Sequence, residues 1–289
     1  MSFLSFDQLA PFSLAGFTLN TEERTALQAS LAVKKAEEKF DHVSFWGKIL
    51  GVQKDYYVAQ AWTDGAWFKK KNFYRCALLA SYPDPLLSID QVTWLQLPDI
   101  TEDEAARLDE YAGRFVGEPG FEVVAQGEKE GEGEDAVEKP ALTEEKRLTA
   151  VIKRIDYDVQ IVPRGAYYRD ALHNIKANKL NSGLSGNELG QLSSYLHFRP
   201  GFAVDYRLLN ERAEQYQEAV DIFEPISRDD PQGVWSIQLE RGGSVAILRS
   251  LLWPGYVFHH TPGQGDSPSK WGGAYYGNGQ RNDNIGYML

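Results

Sequence analysis

Thiols are almost missing from this chain. Among 289 residues only Cys76 carries one, so no intrachain disulfide and no cysteine-based zinc site can form, which fits a reducing compartment. Histidine is also scarce, at five residues, and His259 and His260 are consecutive; on a strand they face opposite ways and do not chelate as a pair. Basic charge is in deficit. Lys plus Arg is 30 against 41 Asp plus Glu, leaving −11, the wrong sign for a protein that coats nucleic acid or an anionic membrane. Targeting signals are lacking: Met1 to Phe17 has no basic start, carries Asp7 and is broken by Pro11 and Gly16, so it reads neither as a signal peptide nor as a membrane span. No Asn-x-Ser/Thr acceptor occurs, and the ending Gly286-Tyr287-Met288-Leu289 is not a prenylation box. A soluble cytoplasmic protein is expected.

Chemical motifs are equally sparse. There is no Walker sequence, no Gly-x-Ser-x-Gly elbow, and Gly277-Asn278-Gly279 has no helix after it to hold a phosphate. Paired carboxylates for glycoside chemistry meet only in the fold, and Asp55 and Glu240 are the candidates; surface charge at a hairpin end also accounts for both. No catalytic residue, metal or cofactor is expected.

What is present is a mixed pattern of helices and strands. Asn20 and Glu23 form a capping box for a helix running to about Phe40, with Ala26, Ala29, Val33, Ala36 and Phe40 on one stripe and Leu27 and Leu31 at its edge. His42 to Leu50 and Asp55 to Trp62 are β-rich segments around the turn Gly51-Val52-Gln53-Lys54, a hairpin. Further strands are expected near Asn72 to Leu79 and Val92 to Leu97, then a helix from Glu102 to Tyr111 behind a Thr101 cap. After Gly127 to Pro140 come a helix at Glu144 to Ile155 capped by Thr143, and a strand at Val159 to Tyr168 interrupted by Pro163 and Gly165. Ser185 and Glu188 form a box opening a helix with Leu189, Leu192 and Leu196, and a further helix spans Arg207 to Phe223.

The clearest hairpin lies near the end. Trp235, Ile237 and Leu239 alternate with Ser236, Gln238 and Glu240, Gly242-Gly243 supplies positive φ angles, and Ser244 to Leu252 returns as an apolar strand covered on both faces. Tyr256 to His260 is one more strand. From Thr261 the tail is rich in Gly, Asn and aromatic residues, as in a segment that orders against a partner. The fold class is α+β: mainly antiparallel β-hairpins with several flanking helices. Residues 1–126 make an N-terminal α+β lobe and 141–289 a C-terminal α+β lobe with an extended aromatic tail. Between them, 127–140 is an acidic flexible linker with six acids and one lysine from Glu128 to Glu138, read either as a solvated insertion or as an acidic docking segment.

Aromatic side chains are abundant, with seven Trp, 15 Tyr and 14 Phe. Trp and Tyr combine large rigid area with a polar tip and are enriched at interfaces. Candidate partner anchors are therefore Trp46, Tyr56, Tyr57, Trp235, Trp253, Trp271, Tyr275, Tyr276 and Tyr287; the competing reading is an aromatic-rich core with a frayed tail.

Several stretches carry a family resemblance. Phe45-Trp46-Gly47-Lys48-Ile49-Leu50-Gly51 followed by Asp55-Tyr56-Tyr57-Val58-Ala59-Gln60 resembles the N-terminal signature of radial spoke head proteins of motile cilia. Ile161-Val162-Pro163-Arg164-Gly165-Ala166, Leu192 to Arg199, Trp235 to Arg241, Leu248 to Gly255 and Tyr287-Met288-Leu289 continue the match in order, across about residues 20–289. The resemblance implies a non-enzymatic subunit of the axonemal radial spoke head in a cilium or flagellum. Such a subunit would bind 4/6-type head proteins and other spoke head subunits, touch central-pair projections transiently, and help relay mechanical signals to the dynein arms. The alternative is another cytoskeletal scaffold on the same paralogous fold.

Overall fold

Two antiparallel meanders of four strands meet edge to edge at one parallel ladder. The computed structural model describes residues 10–76, 94–109, 111, 113–123, 142–170, 174–184, 186–199, 223–263 and 268–285. In chain order these form a 3-10 turn at Ala10–Ala15, α1 (Thr21–Glu38), β1 (His42–Ile49), β2 (Tyr56–Trp62), β3 (Lys71–Cys76), β4 (Leu95–Gln96), α2 (Glu102–Asp109), β5 (Glu122–Val123), β6 (Leu142–Thr143) and α3 (Glu144–Val159). Then follow β7 (Ile161–Pro163), β8 (Tyr167–Arg169), β9 (Ile175–Ala177), β10 (Tyr195–His197), β11 (Trp235–Glu240), β12 (Val245–Ser250), β13 (Tyr256–Thr261) and β14 (Lys270–Gly277). The main sheet has the order β11-β12-β13-β14-β1-β2-β3-β4, with β14 parallel to β1 and every other neighbour antiparallel.

The expected lobes 1–126 and 141–289 thus meet in a single sheet: β1 to β4 come from the first and β11 to β14 from the second, hydrogen-bonded through Gly47↔Tyr275 and Ile49↔Gly277. The linker 127–140 lies outside the described residues, as do Arg207 to Ile222 of an expected helix and Tyr287. The α+β character and the dominance of antiparallel pairing are observed.

Alternation along each strand feeds two cores. On β12, Ala246 and Leu248 enter one cluster while Val245 and Ile247 enter the other, which is why that strand reads as a continuous apolar run. On β1 the alternation changes phase at a bulge between Phe45 and Gly47. Phe45 and Lys48 therefore point to the α1 side, while Trp46 and Ile49 point to the α3 side. Gly47 makes this possible: its φ is +154°, and a Cβ there would sit 2.2 Å from the Tyr275 carbonyl oxygen of β14.

Several local expectations are corrected. α1 has its capping box, with Glu23 N–H donating to Asn20 Oδ1 (2.7 Å) and Asn20 N–H to Glu23 Oε2 (2.9 Å). Its buried face, however, is Leu27, Ser30 and Leu31, while Val33 is exposed: the large leucines outweigh the Ala/Val stripe because they remove more apolar area from water. Leu189 and Leu192 lie on short 3-10 turns and Leu196 on β10, not on one helix; glycines at 186 and 190 bound the first turn and disfavour helix propagation. The tail is corrected most. Lys270–Gly277 is no loose end: β14 lies inside the sheet, flanked by β13 and β1. Arg241, Gly242 and Gly243 all take positive φ in the β11–β12 turn, which spans four residues between the Glu240↔Val245 pair.

Candidate functional site

The sheet face under α3 holds a set of aromatic side chains whose polar tips end on carboxylates from distant parts of the chain. Trp46 Nε1 donates to Asp156 Oδ1 at 2.7 Å and Gln60 Nε2 donates to Asp156 Oδ2 at 2.5 Å, so one turn of α3 is tied to β1 and β2 at once. Trp253 Nε1 reaches Asp158 Oδ2 at 2.8 Å. Trp235 Nε1 reaches Asp229 Oδ2 at 2.8 Å, and the same carboxylate holds His197 Nε2 at 2.8 Å. Indole N–H groups buried without an acceptor would cost free energy, and ionised acceptors make the stronger bonds.

Glu144, at the start of α3, is the most heavily bonded of these acids. It accepts the Tyr56 hydroxyl at 2.6 Å and the backbone N–H groups of Val116 (2.7 Å), Gly117 (2.7 Å) and Glu118 (3.2 Å). Burial, reinforced by this carboxylate, pushes the Tyr56 phenol far above its usual range, so it stays a donor. Thr143, expected to cap α3, makes no side-chain cap bond. On the opposite face the Tyr57 hydroxyl donates to Glu23, and burial together with that bond raises its pKa to about 12. Burial alone would raise the Glu23 carboxyl; the Tyr57 hydroxyl, the Asn20 N–H and the Lys48 ammonium outweigh it and hold the group below its ordinary value.

Eight of the nine expected partner anchors are placed inside the chain, which corrects their reading as surface; Tyr287 lies outside the described residues. Trp46, Tyr56, Tyr57, Trp235, Trp253, Trp271, Tyr275 and Tyr276 are all buried, none more than 8% exposed. The reason is the sheet: a strand buried on both faces encloses consecutive rings on opposite sides, as with Tyr56/Tyr57 and Tyr275/Tyr276. Trp271 packs on Tyr167 and Phe258, Tyr275 on Trp46, and Tyr276 stacks on Phe17 at 5.4 Å. Large apolar side chains left exposed include Leu239 on edge strand β11, 46% exposed, and Leu95 on edge strand β4.

The residues that sequence reasoning missed are the acceptors: Glu23, Glu144, Asp156, Asp158 and Asp229. Local spacing marks Glu23 only as half of the capping box and does not mark these aromatic contacts, because the partners lie 34, 88, 110, 95 and, for the nearest, 6 residues away. The two glycosidase candidates do not converge. Asp55 is paired with Lys48 at 3.0 Å, and Glu240 ends β11, with β12, β13, β14 and β1 between it and β2, on the order of 20 Å at the usual strand spacing. Among the described residues no group of three or more His, Cys, Asp or Glu is placed to hold a metal ion, and no helix is long and apolar enough to cross a membrane. His259 and His260 do face opposite sides of β13, against Phe12 and Tyr195 respectively.

The sequence has relatives among known proteins. Residues 5–73 match the family model described as radial spokehead-like protein, the stretch that holds α1, β1 and β2. The chain is 38% identical to the radial spoke head protein 9 homolog of Danio rerio over 279 residues, covering 95% of this chain and 94% of that one. It is 36% identical to the Homo sapiens homolog over 282 residues and 34% identical to the Mus musculus homolog over 279 residues, each covering 95% of both chains. The chain belongs to the radial spoke head protein 9 family and is a radial spoke head component.

Proposed function

We propose that this protein is a non-enzymatic structural subunit of the spoke head in the axoneme of motile cilia or flagella. In this reading it binds the 4/6-type head proteins and other spoke head subunits, meets central-pair projections transiently, and helps pass mechanical signals toward the dynein arms. The observation that carries the reading is the match to radial spoke head protein 9 homologs along nearly the whole of both chains.

The architecture supports it physically. A relay of force requires a body that does not shear internally and interfaces that outlast each stroke. The continuous sheet supplies the first requirement, because load entering β1 to β4 passes to β11 to β14 through backbone hydrogen bonds at the β1–β14 ladder. Carboxylate-to-indole bonds lock α3 onto that sheet in one register. Contacts that form and break within a beat call for electrostatic steering, and the charge of −11 gives this subunit a long-range field.

Mixing the purified chain with a 4/6-type head protein is the direct test. Co-elution as a complex, together with recovery of the chain from isolated axonemes, is the expected result. Independent elution at micromolar concentration, with absence from axonemes, overturns the proposal, as does turnover of a small molecule at appreciable speed.

A further inference from the structure

A cavity of about 250 Å³ lies where α2, α3 and the segment after β14 come together, and it is lined by three arginines. Arg147, Val151 and Arg154 follow helical spacing along α3, so one face of that helix forms a wall. Leu108, Tyr111 and Trp253 supply apolar and aromatic surface.

Arg147 is the unusual member. It is 3% exposed, its guanidinium lies 4.7 Å from the Tyr111 ring centre and 4.2 Å from that of Phe115, and one nitrogen donates to the Gly113 carbonyl. Its other terminal nitrogen, Nη1, is buried and has no hydrogen-bond acceptor among the described residues. The nearby Glu144 carboxylate is already engaged by Tyr56 and three backbone N–H groups. A buried cation with an unused donor is costly unless an anion completes it. The other arginines are placed differently: Arg154 is paired with Asp109 at 2.6 Å, whereas Arg281, at the exposed rim, only approaches Asp158 and Asp283 at 4.0 Å.

We propose that this cavity is a binding site for a single carboxylate on a short aliphatic stem, such as a glutamate side chain, with Arg147 and Arg281 as its cationic partners. The volume suits one side chain, and Leu108, Val151 and Trp253 match methylene groups. Asp109 and Asp283 at the same cavity oppose a dianion, which disfavours phosphate relative to a monovalent carboxylate. The site stands apart from the spoke head reading and does not depend on it.

Titration of the full chain by calorimetry tests the assignment with a blocked pentapeptide, Ala-Ala-Glu-Ala-Ala, its Gln counterpart, free butyrate and inorganic phosphate. Saturable binding of the Glu peptide is expected, with the Gln peptide and phosphate each weaker by roughly tenfold, the scale of a lost charge-assisted hydrogen bond. Butyrate matching the peptide assigns a free ligand; a tighter peptide assigns a partner's side chain. Arg147→Gln and Arg281→Gln should each weaken the Glu peptide by roughly tenfold. Because Arg281 lies at the rim, its variant should melt like the wild type, separating lost binding from lost folding. Equal affinity for the Glu and Gln peptides, phosphate as the tightest ligand, unchanged affinity in Arg281→Gln, or no saturation at millimolar peptide each overturns the proposal.

Discussion

On the α3 side of the sheet, Trp46, Tyr56, Trp235 and Trp253 each end on a carboxylate, whereas on the α1 side Tyr57 ends on Glu23 and Leu27, Leu31, Phe12 and Phe45 pack as hydrocarbon and ring. Both faces bury aromatic surface, yet they specify structure differently. Apolar contacts tolerate exchange of shape for shape, while a buried hydrogen bond to a charge admits one geometry. The α3 face therefore sets register, and the α1 face mainly contributes area. For a subunit that carries load, the face with directional bonds resists sliding of a helix over the sheet.

The largest expected difference comes from removing a ring on the α3 face. Trp253→Ala takes away a fully buried indole and leaves Asp158 without its donor, so a loss of about 3–5 kcal/mol is expected. Denaturant unfolding measures it, and a midpoint matching the wild type would place Trp253 outside the core. A smaller and more specific contrast lies at the bulge, where neighbouring rings face opposite sides. Trp46→Phe keeps much of the ring but removes the donor to Asp156, and should cost about 1.5–3 kcal/mol. Phe45→Leu, on the α1 side, is a nearly volume-conserving apolar swap and should cost less than about 1.5 kcal/mol. Equal losses would erase the distinction between the faces. A cycle with Asp156→Asn sharpens it, because Trp46→Phe should cost clearly less once the carboxylate is gone.

How much of this was legible follows the same division. Local signals survived: the Asn20–Glu23 box, the Thr101 cap on α2, the β11–β12 hairpin and the two-faced β12 are all where short-range patterning puts them. The opposed directions of His259 and His260 follow from strand geometry alone. Apart from the missing Thr143 cap bond, the α1 stripe and the helix expected around Leu189, what failed was long-range. Aromatic residues at Trp271 to Tyr276 looked like a tail awaiting a partner because their partner, β1, lies more than two hundred residues earlier in the chain, and glycines at 272 and 273 resemble a loop. Asp156 and Asp158 carried no signal, falling between the helix expected to end at Ile155 and the strand expected from Val159, since only the packed sheet brings Trp46 and Trp253 to them. The aromatic surplus was visible in the composition, but composition does not distinguish a ring that anchors a partner from one that anchors its own chain.

One pair of residues samples both faces at a single point on the sheet, and pH separates them from the carboxylates. His259 lies against Phe12 on the α1 side, and His260 against Tyr195, whose hydroxyl is 3.5 Å from its Nδ1, on the α3 side. Burial lowers both imidazoles, His259 to about 3, helped by the neighbouring His260, and His260 to about 4. An imidazole in the unfolded chain titrates near 6.5, so protons bind the unfolded state first as the solution is acidified. The stability these groups contribute is complete above about pH 6.5 and declines as pH falls toward 4, by up to about 1.4 kcal/mol per pH unit for each. Melting temperature should therefore drop between pH 7 and 5, in a range where ordinary carboxylates stay ionised. His259→Phe, which keeps a ring against Phe12, should remove part of that slope and leave the part due to His260. If stability stays level from pH 7 to 5 in the wild type, the imidazoles reach water, and the sheet is not closed on both sides at β13.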